Sequence, residues 1–170
     1  MTTTQLIKTL TAHIQSTNGD YLVEYATKSE ANLKADSIPN DGALAVIREI
    51  KGWGMTTPSM KAQGFARAGY VRTTNVEISF ARFSDVVNGY AGLGDTEASA
   101  GRYDQTRMAI QERIECEVVI PFIQDISSKG AFPEPIETGA MKVTYENYTM
   151  DANEVAVTLS FVITQKTTCI

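Results

Sequence analysis

Histidine is nearly missing from this chain: among 170 residues there is one, His13. Acyl transfer and proteolysis need a base to activate a nucleophile, and histidine is the usual one. His13 stands one step off the apolar stripe of an N-terminal helix and has no partner evident in sequence, so it reads as structural. Cysteine is almost as scarce. Cys116 and Cys169 lie far apart, which excludes a disulfide framework and, with the lone histidine, the usual zinc spacings. Two free thiols are expected, Cys116 as a small core hydrophobe.

Long hydrophobic runs are lacking too. "VVIPFI" and "ALAVI" fall far short of the roughly 20 residues a membrane span needs. The start, "MTTTQLIKTL", has no basic segment followed by an apolar stretch and a cleavage site, so it reads as a mature cytoplasmic start. Positive charge is also in the minority. A net charge of −5 argues against a chain built to wrap nucleic acid or an anionic membrane. Calcium loops are absent as well, since "DTEASAGRYD" lacks the ligand period of an EF-hand.

One stretch imitates a nucleotide site. "VVNGYAGLGDTEAS", residues 86–99, has Gly89, four further residues and then Gly94-Asp95-Thr96, which is P-loop spacing with aspartate in the lysine position. A P-loop neutralises phosphates with backbone N–H groups and that lysine. Asp95 and Glu97 would instead repel a triphosphate, each by roughly 4 kcal/mol before screening at about 4 Å. The glycines therefore mark a connector, and no cofactor is expected.

What remains is an architecture. With 43% hydrophobic and 21% charged residues, the chain can bury the core of one domain over 1–170. Leu6, Ile7, Leu10 and Ile14 recur at helical spacing, Thr2 and Gln5 have the form of a capping box, and Asn18-Gly19 supplies the stop. "YLVEYAT" over 21–27 alternates as a strand, or extends a helix through Leu22, Tyr25 and Ala26. The turn "IPNDG" precedes "ALAVIREI", a partly buried strand. Residues 51–70 show no period and form a long excursion, and 86–101 form a second, glycine-rich loop. Strands are expected in "TNVEISFARF", "MKVTYENY" and "VAVTLSFVIT", the last two as an antiparallel hairpin.

The interval 102–126, "RYDQTRMAIQERIECEVVIPFIQDI", is ambiguous. Ile114, Cys116, Val118 and Ile120 alternate as in a strand, while Cys116, Val119, Ile120 and Ile123 share a helical face. Length favours a helix, kinked or broken at Pro121, and the strand reading of 113–120 stays open. Glu112, Glu115 and Glu117 then read as solvent-face charges, not paired acid–base carboxylates. The class is α+β: a single domain whose mainly antiparallel sheet of four to five strands packs on an N-terminal helix and a long second helix.

Charge is segregated along the chain. Residues 48–82 hold six basic side chains (Arg48, Lys51, Lys61, Arg67, Arg72, Arg82) against Glu49 and Glu77, and the remainder holds nine basic against eighteen acidic. Such a pattern suits head-to-tail contact between identical subunits. The same segment carries Trp53, Met55, Phe65 and Tyr70, residue types enriched at interface cores. With Tyr90, Leu93 and Asp95 of the glycine-rich loop, these make the candidate interface. A solvated loop, or one folded back over the sheet, explains the same residues.

The order of elements resembles the small neck and tail-completion proteins of tailed bacteriophages, the tail terminator type in particular. The likeness is carried by "TTTQLIKTLTAHI", "IPNDGALAVIREIKG", "VEISFARFSDV", the interval 104–126 and "MKVTYENYTMDANEVAVTLSFVITQ". It is one of layout, without a diagnostic motif. The resemblance implies a structural virion protein that forms a homo-oligomeric ring at the head–tail junction or the end of the tail tube. Its neighbours would be portal, connector or tail-tube proteins. A passing contact with phage DNA in the lumen is implied, with no cofactor, catalysis or membrane. Two other classes compete: a module that clamps a peptide or protein against its sheet, and an enzyme whose acidic site forms only between subunits.

Overall fold

A computed structural model describes residues 1–27, 30, 43–52, 54–56, 70–83, 108–128, 131–132, 136–138, 140–146 and 154–167. Helix α1, Thr3–Thr17, begins at the capping box read from sequence. Thr2 Oγ1 accepts from the Gln5 N–H at 3.2 Å, and Gln5 Oε1 accepts from the Thr2 N–H at 2.7 Å. Two orphan donors of the first turn are thus satisfied reciprocally. Leu6, Leu10 and Ile14 are its buried stripe, and Asn18 closes the last turn on the Ile14 carbonyl.

Seven strands follow: β1 Tyr21–Ala26, β2 Ala43–Arg48, β3 Gly54–Thr56, β4 Tyr70–Phe83, β5 Ile136–Thr138, β6 Lys142–Glu146 and β7 Glu154–Thr167. They occupy five positions across one mixed sheet. The long strands β4 and β7 pair antiparallel along their full 14 residues. On its other edge β4 carries β2 and β3, and the far edge of β7 carries β6 and β5. Only β1 runs parallel to its neighbour, β2. That pairing settles 21–26 as a strand: a helix would leave the edge of β2 without backbone partners.

The second helix, α2, spans 108–126 and decides the ambiguous interval; residues 102–107 lie outside the described set. The helix is not broken at Pro121. Residues Glu115–Val119 instead form a π-turn, in which the Ile120 N–H reaches the Glu115 carbonyl, and Ile120–Ile126 continues as α-helix. Proline in a regular helix clashes with the carbonyl four residues back. A wide turn placed just before Pro121 gives that ring room.

Both helices pack on one face of the sheet. Leu6, Leu10 and Ile14 of α1, and Ile114, Val118, Val119, Phe122 and Ile126 of α2, meet Tyr21, Ile47, Ile78, Phe80, Leu159 and Ile163. Burial does not stop there. Leu44, Val46, Ala81 and Ala156 form a second buried cluster on the opposite face. Strand β2 is thus buried on both sides from Ala43 to Ile47, where sequence suggested partial burial. Central strands flanked on both faces read as continuous apolar runs, as "ALAVI" does.

Five more expectations are corrected or extended. Cys116 is exposed, not a core hydrophobe, because it lies two residues from both Ile114 and Val118 and so on the far side of the helix from the buried stripe. The 51–70 excursion contains β3, and β4 begins at Tyr70, ahead of the expected Thr74. Strand β5, Ile136–Thr138, was not among the strands expected. Strand β7 runs on to Thr167, past the end of the expected "VAVTLSFVIT".

Candidate interaction surface

Alternation along β2, β4, β7 and β6 sends one set of side chains away from the helices. Register aligns them in rows: Glu77 opposite Ser160 and Ser160 opposite Lys142, then Ser79 opposite Thr158 and Thr158 opposite Thr144. Arg48, at the end of β2, leans over both rows. Its Nε and Nη2 donate to Ser79 Oγ at 3.1 and 2.9 Å, and its Nε lies 3.3 Å from Glu77 Oε1. The buried Ser79 and Thr158 hydroxyls bond to each other at 2.8 Å. Beside them a groove of about 1210 Å³ is lined by Arg48, Glu49, Lys51, Asn75, Glu77 and Lys142, with Gly52 and Gly54 at its rim. Gly54 has a steric reason: a Cβ there would come within 2.8 Å of Thr73 Oγ1.

This surface holds three cations, Arg48, Lys51 and Lys142, and two carboxylates, Glu49 and Glu77, beside a row of hydroxyls, so it suits polar, charge-matched contact with another surface. Among the described residues no group of three or more His, Cys, Asp or Glu side chains is placed to hold a metal. Ser79 is the joint of the patch. Ser79→Ala is expected to lower unfolding free energy by about 1–3 kcal/mol, because it strands the buried Thr158 hydroxyl and one side of Arg48; a urea-denaturation midpoint measures it.

Two polar clusters lie elsewhere. His13 joins α1 to the end of α2: Nδ1 faces Asp125 Oδ2 at 2.5 Å, and Nε2 faces the Ala131 carbonyl at 2.6 Å. Both ring nitrogens meet acceptors, so a ring carrying two N–H groups satisfies both. Phe132 packs against it with centroids 5.9 Å apart. The second cluster centres on Glu117, which accepts from Arg82 Nη2 at 2.6 Å and from Arg113 Nε at 2.5 Å. Burial would push the Glu117 carboxyl up, but the Arg113 hydrogen bond and the two guanidinium charges outweigh it and hold the group below its ordinary 4.5. Arg82 also lies 5.4 Å from the centre of the Tyr21 ring. Burial pushes the Tyr21 phenol up to about 12 against the pull of Arg82. Glu117 is therefore a pairing residue between helix and sheet, not the plain solvent-face charge expected. Glu115 is likewise engaged, accepting from the Tyr145 hydroxyl.

No family model matches this chain, and no curated protein matches it.

The sequence-derived interface is only partly assembled. Arg48 and Lys51 line the groove. Arg72 does not join them, since strand alternation turns it to the helix side, where Nη2 donates to Thr3 Oγ1 at 3.0 Å. Arg82 faces that side too, so the basic segment is split across both faces of the sheet and is not one patch. Met55 and Tyr70 take strand positions in β3 and β4. Trp53, Lys61, Phe65, Arg67, Tyr90, Leu93 and Asp95, with the glycine-rich loop, lie outside the described residues. Sequence reading missed Glu77, Ser79, Thr158 and Lys142 as a group. The signal was present: it is the polar phase of the same alternation whose apolar phase identified the strands. No helix among the described residues is long and apolar enough to cross a membrane.

Proposed function

We propose that this chain is a structural subunit of a tailed-phage virion, forming a ring at the head–tail junction or at the end of the tail tube, and that it performs no catalysis. The observation that carries the reading is the order of elements. A capped amphipathic helix, short strands that include an apolar one, a long strand, a long helix and a closing antiparallel pair with a dominant last strand follow one another as in tail terminator-like proteins. The work of such a subunit is assembly. It offers shape and charge to copies of itself and to portal, connector or tail-tube neighbours, with phage DNA passing through the lumen.

Negative-stain imaging of the purified protein, alone and with tail tubes or portal, tests this. Discrete rings, or caps at tube ends, are the expected result. A monodisperse monomer that ignores both would overturn it in favour of a second reading, a module that clamps a peptide against the sheet. The groove of Arg48, Glu49, Lys51, Glu77 and Lys142 is the feature that favours that second reading.

A further inference from the structure

The sheet ends in two edges. One is β1, and the other is β6 beside β5; no described strand pairs with the outer side of either. An open edge exposes a row of backbone donors and acceptors, which proteins usually shorten, charge or cover. Here the edges carry, beside the charges of Glu24 and Lys142, large exposed groups. Leu22 and Tyr25 of β1 are 50% and 41% exposed, and Tyr145 of β6 is 50% exposed.

Strand sense makes the two edges compatible. β1 is parallel to β2, and each step from β2 to β4, to β7 and to β6 is antiparallel. β6 therefore runs opposite to β1. A second copy set alongside in the same orientation presents its β1 antiparallel to β6 of the first. A two-fold dimer would spend one edge on itself, whereas this head-to-tail contact can repeat and close.

Side-chain faces restrict the register. Tyr21 and Val23 belong to the helix-side core, as does Val143, so these must remain on one face across the junction. Setting Val23 opposite Val143 places Glu24 opposite Lys142 and Leu22 opposite Thr144. A two-residue shift sets Glu24 opposite Thr144 and Leu22 opposite Glu146, and loses the charge match. We propose that β1 of one copy pairs antiparallel with β6 of the next, with Glu24 facing Lys142, so that the sheet continues from subunit to subunit. This inference rests on the ring reading above and specifies its lateral contact.

Directly opposed residues in an antiparallel pair have Cα atoms about 4.5–5.5 Å apart, within disulfide range. In a background with Cys116→Ser and Cys169→Ser, the pair Leu22→Cys and Thr144→Cys is expected to give, on mild oxidation, a ladder of covalent multimers on a non-reducing gel. Leu22→Cys with Val143→Cys, whose side chains leave opposite faces, is expected to stay monomeric on the same gel. Charge reversal is the second arm. Glu24→Lys or Lys142→Glu alone is expected to weaken self-association roughly tenfold, and the two together to restore it.

Native mass spectrometry of the parent protein separates the possible failures. Oligomers that give no ladder overturn the edge pairing and leave the ring reading standing. A monomer at every concentration overturns both. Disulfide dimers from Leu22→Cys alone would reveal a two-fold β1–β1 contact, and a ladder from Glu24→Cys with Thr144→Cys but not from Leu22→Cys with Thr144→Cys would reveal the shifted register. Either result overturns the proposal.

Discussion

Phe80→Ala is expected to lower the unfolding free energy by about 3–5 kcal/mol, the largest loss from any single truncation considered for this chain. Phe80 is fully buried at the centre of β4, opposite Ala45 of β2 and Val157 of β7. Its ring meets Tyr21 of β1 nearly edge-on, with centroids 5.9 Å apart and planes at 81°, and Phe122 of α2 at 6.0 Å and 61°. These tilted contacts match the aromatic quadrupoles and add to the apolar area buried. One side chain therefore ties an edge strand, a central strand and the second helix together. Small neighbours such as Ala45 cannot reach into the space it would leave, so the cavity persists and its cost adds to the lost transfer energy. A domain of this size has about 5–15 kcal/mol in total, so the variant should sit close to unfolding at ambient temperature. The urea midpoint of Phe80→Ala against wild type is the measurement. Gln15→Ala, on the exposed face of α1, is the control, expected within about 0.5 kcal/mol.

The contrast between these two positions shows what a one-dimensional pattern carries. Phe80 announces itself, because Val76, Ile78 and Phe80 alternate in a strand whose apolar phase has only one place to go. α1 was legible for a similar reason, its stripe being bracketed by a capping box and a stop. β7 and the antiparallel pairing of β6 with it were legible as well. What could not be read were features fixed by partners distant in the chain. β1 is a strand because β2 lies beside it, and its own residues fit either period. Residues 113–120 satisfy both periods too, and only the cost of breaking a helix that already covers the sheet decides between them. Cys116 faces outward because the buried stripe is phased on Ile114 and Val118, and the sequence alone offered a second phase through Cys116, Val119 and Ile123. Charge was the least legible. Arg48, Arg72 and Arg82 look like one basic segment, yet even numbers on β2 and on β4 point to opposite faces, because the register pairs Ile47 with Ile78. A basic run along a strand is divided by the pleat itself.

Glu117→Ala should have the second large effect, roughly 2–4 kcal/mol, and it arises from what is left behind more than from what is removed. The Arg82 side chain is only 13% exposed, and its Nε is buried without a hydrogen-bond partner among the described residues. With the carboxylate gone, its charge would rest on the Tyr21 ring, which supplies only part of what the charge-assisted bond to Glu117 provides. Glu117 itself is 30% exposed, which keeps the loss below that of a fully buried pair. Replacing both ends, Arg82→Met with Glu117→Leu, should recover most of it, since no stranded charge remains. Arg113→Ala should cost less than about 1 kcal/mol, because that partner is exposed and its contact screened. The pH dependence has a definite sign. The folded state holds the Glu117 carboxyl below its ordinary 4.5, so its stabilisation is complete above about that value and fades as pH falls through the lower, folded-state value. Wild type should therefore lose stability on acidification more steeply than Glu117→Ala, and the two should draw together as pH falls through that lower value. Because Arg82 stacks on Tyr21, the first residue of β1, the same variant should also loosen the edge proposed to meet the next subunit. Weaker self-association at neutral pH, with the double replacement restoring it, would connect the helix–sheet ion pair to assembly.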